Sequence, residues 1–372
     1  MLSLLLSTLL IRFSALAIRP HWCYSPSTFV SPLVIPATWT RTKSRMHTPL
    51  HTIQVRDIQI SPPLILAPMA GLTHSALRQI VLGYGGVGLL STEMLAAKRL
   101  PSENPGISPY LFRTALEKPL SYQLLISSVS HMAPAIEVLH TLKADAIDLN
   151  LGCPAPAVGR SGAGITLMER PEDVRSLVAE ARKRTTLPLS AKIRLGIELD
   201  EGKLRDFCTM LEDEGIDMLS VHARLKKESF ARRPRWEWVA KVKDWLTIPV
   251  IANGGIFSVQ DAENCLRVSR ADGLMLGRGA VIRPWLFAEI AREVYGCTIA
   301  EPAVSLPMVY GTFLDLITEH FRPERRLGRL KEFTHYFAQN YQFGHLLATR
   351  VQTSTSLDDA RERAGIFFEG AS

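Results

Sequence analysis

The chain has few cysteines for its length, and they are scattered. Cys23, Cys153, Cys208, Cys265 and Cys297 form no CxxC pair and no Cys/His cluster in 372 residues. A structural zinc site needs clustered Cys and His ligands, and a disulfide framework needs a denser, paired set of cysteines. The spacing argues against both kinds of protein and favours a reducing compartment.

Acidic residues are absent from positions 1–45, a stretch that holds five basic residues. Taking these five charges from the net charge of +7 leaves +2 for the rest of the chain. The rest is therefore nearly balanced in charge. A nucleic-acid partner has to be inferred from local basic patches rather than from the total.

A long uninterrupted apolar run is also missing. Residues 2–18 are apolar but include Arg12, which makes them a poor membrane span, and no basic side chain precedes them as in a secretory signal. Residues 1–45 fit an organellar transit peptide or a mis-called start with translation beginning at Met46; a signal or anchor is a third interpretation. In each case they are a leader outside the fold. We predict a cytoplasmic protein without stable membrane association, or a mitochondrial or plastid one if the leader is a transit peptide.

Eight short apolar runs alternate with longer amphipathic stretches from residue 64 onward. The runs span residues 64–69, 87–91, 120–125, 146–149, 189–193, 218–221, 249–252 and 273–276. Because strands of a parallel sheet are buried on both faces, continuous apolar runs predict such strands. Helix-like segments lie between them, including residues 171–184, 206–214 and 259–268. The pattern predicts an α/β protein with a TIM (β/α)8 barrel, whose chemistry sits at the carboxyl ends of the strands.

The pattern changes near residue 305, where apolar residues recur at helical spacing and no strand-like run follows. We predict a barrel over residues 46–304 and a small all-helical domain over residues 305–372. Cys208, Cys265 and Cys297 fall in segments that we predict to be helical, and we expect them to serve packing.

Glycine-rich segments follow the last two predicted strands. Asn253-Gly254-Gly255 ends the seventh strand and Gly277-Arg278-Gly279 ends the eighth. TIM barrels commonly bind phosphate groups at these two loops, where glycine allows a close approach to backbone N–H groups and an arginine adds charge-assisted bonds. The two segments together predict a phosphate site.

Lys192 interrupts a strand that should be buried, so it is expected to have an anionic partner. A cation at this position suits the negative charge of a reduced flavin, and the amide of Gln123 suits the edge of the same ring. The rival interpretation is a Schiff-base lysine, as in barrel aldolases, with Arg194 pointing the same way inside the barrel.

Cys153 lies in Asn150-Leu151-Gly152-Cys153-Pro154, directly after the fourth predicted strand. A lone cysteine is usually a small buried residue, but this loop belongs to the catalytic face. The loop holds no histidine that would convert the thiol to a thiolate. A neutral thiol is a competent proton donor at neutral pH, so Cys153 is a candidate general acid, with a nucleophile as the alternative.

A series of motifs makes the chain similar to the tRNA-dihydrouridine synthases from about residue 55 to the C-terminal end. They are Ala67-Pro68-Met69-Ala70-Gly71, Gln123-Leu124, Asn150-Leu151-Gly152-Cys153-Pro154 with Ser161-Gly162-Ala163-Gly164, Lys192-Ile193-Arg194, Val221-His222, Asn253-Gly254-Gly255 and Gly277-Arg278-Gly279. The resemblance implies an FMN-dependent oxidoreductase that takes electrons from NADPH or NADH. It would reduce the C5–C6 double bond of specific uridines in tRNA, with Cys153 as the proton donor.

The resemblance also implies site residues and partners. The FMN contacts would be Pro68, Met69, Ala70, Gln123, Lys192, His222, Asn253, Gly254, Gly255, Gly277 and Arg278. The helical domain over residues 305–372 would bind tRNA. We expect a monomer that holds no metal.

The sequence departs from the family pattern in places. Pro156 and Ala157 stand where many members carry lysines, Leu225 follows Arg224 where a threonine is common, and Gly255 replaces an aspartate. These changes leave the FMN residues and Cys153 in place. Since they concern the position of the substrate, the resemblance implies no particular uridine.

Two basic patches predict contacts with nucleic acid, one in the loop after the sixth predicted strand and one in the helical domain. A charge run is often only a solvated face, but these patches would flank one mouth and fit a flipped-out or single-stranded base. The candidate RNA contacts are Asn150, Arg194, Arg224, Lys226, Lys227, Arg232, Arg233, Arg326, Arg329 and Lys331.

Two other functions stay open on the residues alone. One is an FMN-dependent reductase of a free pyrimidine or an enone, similar to dihydroorotate dehydrogenases or ene-reductases. The appended helices and the basic loops argue against it. The other is a non-catalytic RNA-binding barrel, against which the intact Cys153 and Lys192 argue.

Overall fold

The computed structural model describes residues 52–370, so the predicted leader over residues 1–45 lies outside the described residues. A short antiparallel hairpin, β1 (Ile53–Val55) and β2 (Ile58–Ile60), comes first. Eight parallel strands follow: β3 (Leu64–Leu66), β4 (Leu90–Ala96), β5 (Leu120–Leu125), β6 (Ala146–Asn150), β7 (Leu189–Arg194), β8 (Met218–His222), β9 (Val250–Asn253) and β10 (Gly273–Leu276).

The eight strands close into a barrel. Their order in the sheet is β3-β10-β9-β8-β7-β6-β5-β4, and a parallel bridge between Ile65 and Leu89 joins the two ends. The predicted TIM barrel is confirmed. Two strands differ from their predicted bounds by three residues or more, and the predictions for them are wrong. The first strand ends at Leu66, ahead of Pro68, which has no N–H to donate to a ladder. The second continues to Ala96 through the polar pair Thr92 and Glu93, where its register with β5 shifts.

The hairpin has no counterpart among the strands that the sequence predicts. Ile53, Val55 and Ile60 are buried in one cluster with barrel-lining residues such as Met218 and Ile251. Gln54 and Gln59 pair with each other and alternate with these apolar side chains. That alternation could have predicted two strands, although each is only three residues long.

Helices surround the barrel between the strands. They are α1 (Ser75–Tyr84), α2 (Met132–Thr141), α3 (Pro156–Arg160), α4 (Pro171–Arg184), α5 (Glu201–Asp213), α6 (Trp236–Trp245), α7 (Val259–Ser269), α8 (Arg278–Ile282) and α9 (Leu286–Glu293). The side chain of Asp200 accepts a hydrogen bond from the Lys203 N–H (2.9 Å) and caps α5. This cap starts α5 five residues earlier than predicted. Cys297 lies in the coil after α9, so its predicted place on a helix is wrong.

Four further helices follow the barrel: α10 (Leu306–His320), α11 (Pro323–Phe337), α12 (Gly344–Gln352) and α13 (Leu357–Gly370). The rings of Phe313 and Phe333 stack at 3.8 Å between α10 and α11. Buried residues of these helices and of the barrel belong to one hydrophobic cluster. Within residues 52–370, no helix is both long and apolar enough to cross a membrane.

Candidate active site

Two adjoining cavities open at the carboxyl ends of the barrel strands, with volumes of about 240 and 210 Å³. They share Pro68, Ala70, Lys192, Arg194 and His222 as lining residues. Together they have the size of a typical small-molecule site, which is about 300–1,000 Å³. The first cavity extends towards the loops after β9 and β10, and the second extends towards the loop after β6.

Backbone conformation shapes the far end of the first cavity. Gly254 and Gly255, after β9, have φ values of +106° and +76°, a region that side chains rarely adopt. A Cβ on Gly254 would lie 2.6 Å from the His222 ring, and one on Gly255 would lie 2.6 Å from Pro234. Arg278 starts the short helix α8 next to these glycines, and the first N–H groups of a helix have no intrahelical acceptor. This donor set fits a phosphate group.

Four cations line the first cavity: Lys192, Arg194, Arg224 and Arg278. Burial and the neighbouring Arg194 lower the pKa of Lys192 to about 8, and burial with Arg278 and Arg194 lowers the pKa of Arg224 to about 10. Burial and the same cations hold the pKa of His222 well below its usual range. The site therefore gains from an anionic ligand, which would relieve repulsion among these charges.

Lys192 has a neutral hydrogen-bond partner. Its Nζ donates to Oδ1 of Asn253 (2.8 Å), and Nδ2 of Asn253 donates to the Met275 carbonyl (2.7 Å). Among the described residues no carboxylate hydrogen-bonds Lys192, so the expected anionic partner stays a prediction about a bound ligand. The carboxylate of Asp148 raises the pKa of Lys192, but by less than burial lowers it.

Cys153 lines the second cavity, together with Asn150, Gly152 and Pro154, and is partly exposed. The backbone N–H of Cys153 donates to Oδ1 of Asn150 (3.0 Å), so the loop after β6 folds back on the end of its own strand. Cys208 and Cys265 are buried, which raises the pKa of each thiol and fits the packing role predicted for them. Cys153 is the cysteine at the barrel mouth among the described residues.

Gln123 and Asn150 are more enclosed than the sequence suggested. Gln123 has no exposed surface and Asn150 only 6%, and the two side chains hydrogen-bond each other (2.7 Å). Both still line the second cavity. Pro68, Met69, Ala70, His222, Gly277 and Arg278 all line the first cavity, as expected for a ligand site there.

The predicted RNA contacts are not equally placed. Lys227, Arg232 and Arg233 are exposed in the loop after β8 and Lys226 is partly exposed there, whereas Arg194 is buried in the site itself. Arg224 is 2% exposed and donates to the backbone carbonyls of Phe230 and Arg232, so its predicted place in a surface patch is wrong.

Three predicted contacts in the helical region have partners within the protein. Nε of Arg326 donates to the Phe321 carbonyl (2.7 Å), and Nζ of Lys331 donates to the Ser354 carbonyl (2.8 Å). Arg329 lies 3.8 Å from the buried carboxylate of Glu93 on β4. These contacts are made within the protein, and the three basic side chains are only partly exposed.

Several lining residues were not predicted. Glu332 and Tyr336 come from α11, and their distance along the chain left no signal in the sequence. Phe230 lies against Arg278, whose guanidinium is 4.3 Å from the ring centre. Asp148 lines neither cavity and was also not predicted, although a carboxylate inside a buried strand needs the same explanation as Lys192. Among residues 52–370, His, Cys, Asp and Glu side chains form no cluster of three that could hold a metal ion.

Comparison with known sequences gives a consistent match. Residues 65–343 match the family model described as Dihydrouridine synthase. The chain is 35% identical to "tRNA-dihydrouridine(16) synthase" of Pseudomonas putida, over 75% of this chain and 88% of that protein. It is 33% identical to the protein of the same name from Neisseria meningitidis serogroup A, over 82% and 94%. A "Probable tRNA-dihydrouridine synthase 1" of Synechocystis is 34% identical, over 66% and 70%.

Comparison with solved structures shows the fold. A histamine dehydrogenase from Rhizobium aligns with a TM-score of 0.53 and 12% identity, over 73% of this chain and 51% of that chain. A 2-naphthoyl-CoA reductase aligns with a TM-score of 0.52 and 13% identity, over 72% and 56%. At such low identity the likeness extends to the barrel architecture alone.

Proposed function

The chain belongs to the dihydrouridine synthase family, and from this premise we propose that it reduces uridine in tRNA to 5,6-dihydrouridine with a bound FMN and with Cys153 as the general acid. The membership confirms the resemblance that the sequence motifs predict. It makes the chain an oxidoreductase. The single observation that carries the proposal for the site is that Lys192 and Cys153 line one cavity at the barrel mouth.

The residues at the mouth fit FMN. Gly254, Gly255 and Arg278 would hold its phosphate, since the two glycines leave the backbone open and Arg278 adds a charge. Lys192 would supply the cation near the ring, and Met69 an apolar wall. A bound FMN, reduced by NADPH or NADH, would be the source of the hydride that C6 of the uracil ring receives.

Cys153 would complete the reaction by delivering a proton. Hydride addition at C6 leaves an electron pair shared between C5 and O4 of the ring. The neutral thiol of Cys153 would hold a proton at Sγ and transfer it to C5, so that the double bond gains one hydride and one proton. The partly exposed position of Cys153 in the cavity gives a bound base access to the thiol.

We propose U16 of tRNA as the target, because relatives at 33–35% identity carry that position in their names. The exposed side chains Lys227, Arg232 and Arg233 would contact phosphates beside the mouth, and the helical domain over residues 305–372 would extend the contact. We also propose that the protein is a monomer and that it acts in the cytoplasm. An organellar location would follow if residues 1–45 were a transit peptide.

The proposal is tested with purified protein, FMN, NADPH and unmodified tRNA. Mass spectrometry of nuclease fragments should show two hydrogens gained by the fragment that contains position 16. Free uridine and orotate serve as competing substrates, since their reduction in place of tRNA would instead indicate a reductase of free pyrimidines. Absence of flavin binding would overturn the cofactor assignment, and gain of hydrogens at another position would overturn U16.

A further inference from the structure

A chain of buried side chains leads from the middle of the barrel to the loop that carries Cys153. Asp148 on β6 is beside Gln123 on β5 and Ser190 on β7 in the register of the sheet. Nε2 of Gln123 and Oγ of Ser190 each donate to the Asp148 carboxylate at 2.6 Å. This series of hydrogen-bonded side chains reaches the surface of the site at Asn150, two residues after Asp148.

The next links run through two amides. Nδ2 of Asn150 donates to Oε1 of Gln123 (2.7 Å). Oδ1 of Asn150 accepts from the N–H groups of Gly152 (3.3 Å) and Cys153 (3.0 Å). Asp148, Gln123 and Asn150 are 5%, 0% and 6% exposed, so solvent has little access with which to replace these bonds.

The two ends of this series of hydrogen bonds, Asp148 and the Cys153 loop, impose the same direction on the two amides between them. Burial raises the pKa of Asp148, against the lowering effect of the hydrogen bonds from Gln123 and Ser190 and of the charge of Lys192. As a carboxylate, Asp148 only accepts hydrogen bonds and so requires Nε2 of Gln123 to face it. Oε1 of Gln123 then faces Asn150 and requires Nδ2 there. A backbone N–H only donates, so the Cys153 loop independently requires Oδ1 of Asn150 on its side. Only one orientation of the two amides gives every donor an acceptor. Turning either amide would place donor against donor at one of its contacts and acceptor against acceptor at another.

We propose that Asp148 is a positioning residue for the reaction: acting through Gln123 and Asn150, it holds the backbone of Gly152 and Cys153 in place and so sets the position of the Cys153 thiol. The inference rests on the proposed function for its catalytic meaning. Asp148 lies behind Gln123 and Asn150, and it does not line either cavity of the site.

The test reverses the chain of hydrogen bonds. Asp148→Asn alone removes the group that can only accept, so Gln123 is no longer held in one direction and can turn its N–H group towards Nδ2 of Asn150. Asn150→Asp alone places a carboxylate oxygen against Oε1 of Gln123. The double variant Asp148→Asn/Asn150→Asp satisfies all contacts again with the direction inverted, because the new carboxylate accepts both from Gln123 and from the Cys153 loop. Ser190→Ala is the matched control, since it removes a bond to Asp148 without turning an amide.

Hydrogen–deuterium exchange of the peptide that contains Gly152 and Cys153 is measured on the FMN-loaded protein, without tRNA. Each single variant should exchange there on the order of tenfold faster, and the double variant and Ser190→Ala should exchange as the unaltered protein does. Single-turnover reduction of tRNA should fall on the order of 100-fold in Asp148→Asn, as expected for a reacting group misplaced by about 1 Å, with unchanged tRNA affinity.

Unchanged exchange in both single variants, or no restoration in the double variant, would overturn the inference. If Asp148→Asn fails to fold, Asn150→Asp and the double variant still compare the two directions. Equal effects of Ser190→Ala and Asp148→Asn would show that Asp148 only stabilises the barrel. If the unaltered protein does not reduce tRNA, the proposed function fails, while the exchange measurement still decides whether Asp148 orders the loop.

Discussion

The two side chains proposed to act on cofactor and substrate differ in their surroundings. Lys192 is among other cations and has its pKa lowered to about 8, mainly by burial. Cys153 is on a loop whose N–H groups are held by Asn150. Lys192 therefore responds to the charge of a ligand, whereas Cys153 depends on the position of its backbone.

Replacement of Cys153 by alanine should slow reduction of tRNA by about 10²–10⁴-fold, the usual contribution of a general acid. FMN binding and reduction by NADPH should remain, because Cys153 would serve the substrate rather than the flavin. The measurement is single-turnover reduction of tRNA by pre-reduced enzyme. Cys297→Ala is the control, since Cys297 is also partly exposed but lies in the coil after α9. An unaltered rate in Cys153→Ala would exclude the assigned acid.

Replacement of Lys192 by methionine should weaken FMN binding about tenfold to a hundredfold, since hydrogen bonds to charged groups contribute about 1.5–3 kcal/mol. In the unaltered protein, FMN affinity should also fall as pH rises above about 8. FMN would bind the protonated amine of Lys192, and above that pH the protein without FMN loses this proton. Fluorescence titration between pH 7 and 9 measures both effects. If FMN affinity fell with rising pH to the same extent in Lys192→Met, the titrating group would not be Lys192.

At the level of elements, the site is built from loops that follow neighbouring strands. The loop after β9 supplies Gly254 and Gly255, and helix α8 starts with Arg278 directly after β10. Because β9 and β10 pair in parallel, their carboxyl ends lie side by side. This is why two segments more than twenty residues apart in sequence serve one cavity.

Gly254→Ala should lower FMN affinity about tenfold or more. The positive φ is costly for alanine by about 1–2 kcal/mol, and the new Cβ would press on the His222 ring. Gly83→Ala, in α1, is the matched control, because a Cβ there meets nothing within 4 Å and alanine favours helix. FMN affinity measured by equilibrium dialysis should separate the two. Equal affinity in both variants would show that the loop after β9 is not part of the binding site.

At the level of the whole molecule, Arg329 connects the helical region to the barrel. It lies near Glu93 of β4 and over the rings of Tyr110 and Phe321, with its side chain only 14% exposed. Arg329→Met should lower the free energy of unfolding by about 1–3 kcal/mol, because Glu93 would remain buried without its cation. The exposed Arg325→Met should change it by less than about 0.5 kcal/mol. Urea unfolding measures the difference; loss of tRNA affinity with unchanged stability would instead support an RNA contact.

The exposed loop after β8 should govern the salt dependence of tRNA binding. Lys227 and Arg233 are exposed, and each phosphate contact contributes about 0.7–0.9 to the slope of log affinity against log salt. The double variant Lys227→Ala/Arg233→Ala should therefore lower this slope by about 1.4–1.8. Lys183→Ala is the control, since Lys183 is exposed near the end of α4, on the opposite side of the barrel from the mouth. An unchanged slope would place the tRNA elsewhere.

The sequence by itself determined the barrel and the position of its mouth. Continuous apolar runs require burial on both faces, which predicts parallel strands, and the parallel arrangement brings Cys153, Lys192 and Arg278 to one edge. Helix α4 begins and ends where the sequence predicts, because Pro171 suits a helix start and basic residues suit its end. These features depend on local patterns, which a single sequence contains.

Only the tertiary structure decided how those residues are paired and how far they are exposed. Asp148, Gln123 and Ser190 meet because the register of β5, β6 and β7 sets them side by side, and register is a property of paired strands rather than of any one of them. Arg224 and Arg329 lie in charge-rich segments that predict surface cations. In the structure, the loop after β8 encloses Arg224 and the packing of α11 encloses most of Arg329. Burial depends on segments distant along the chain, and a local pattern of charges does not contain that information.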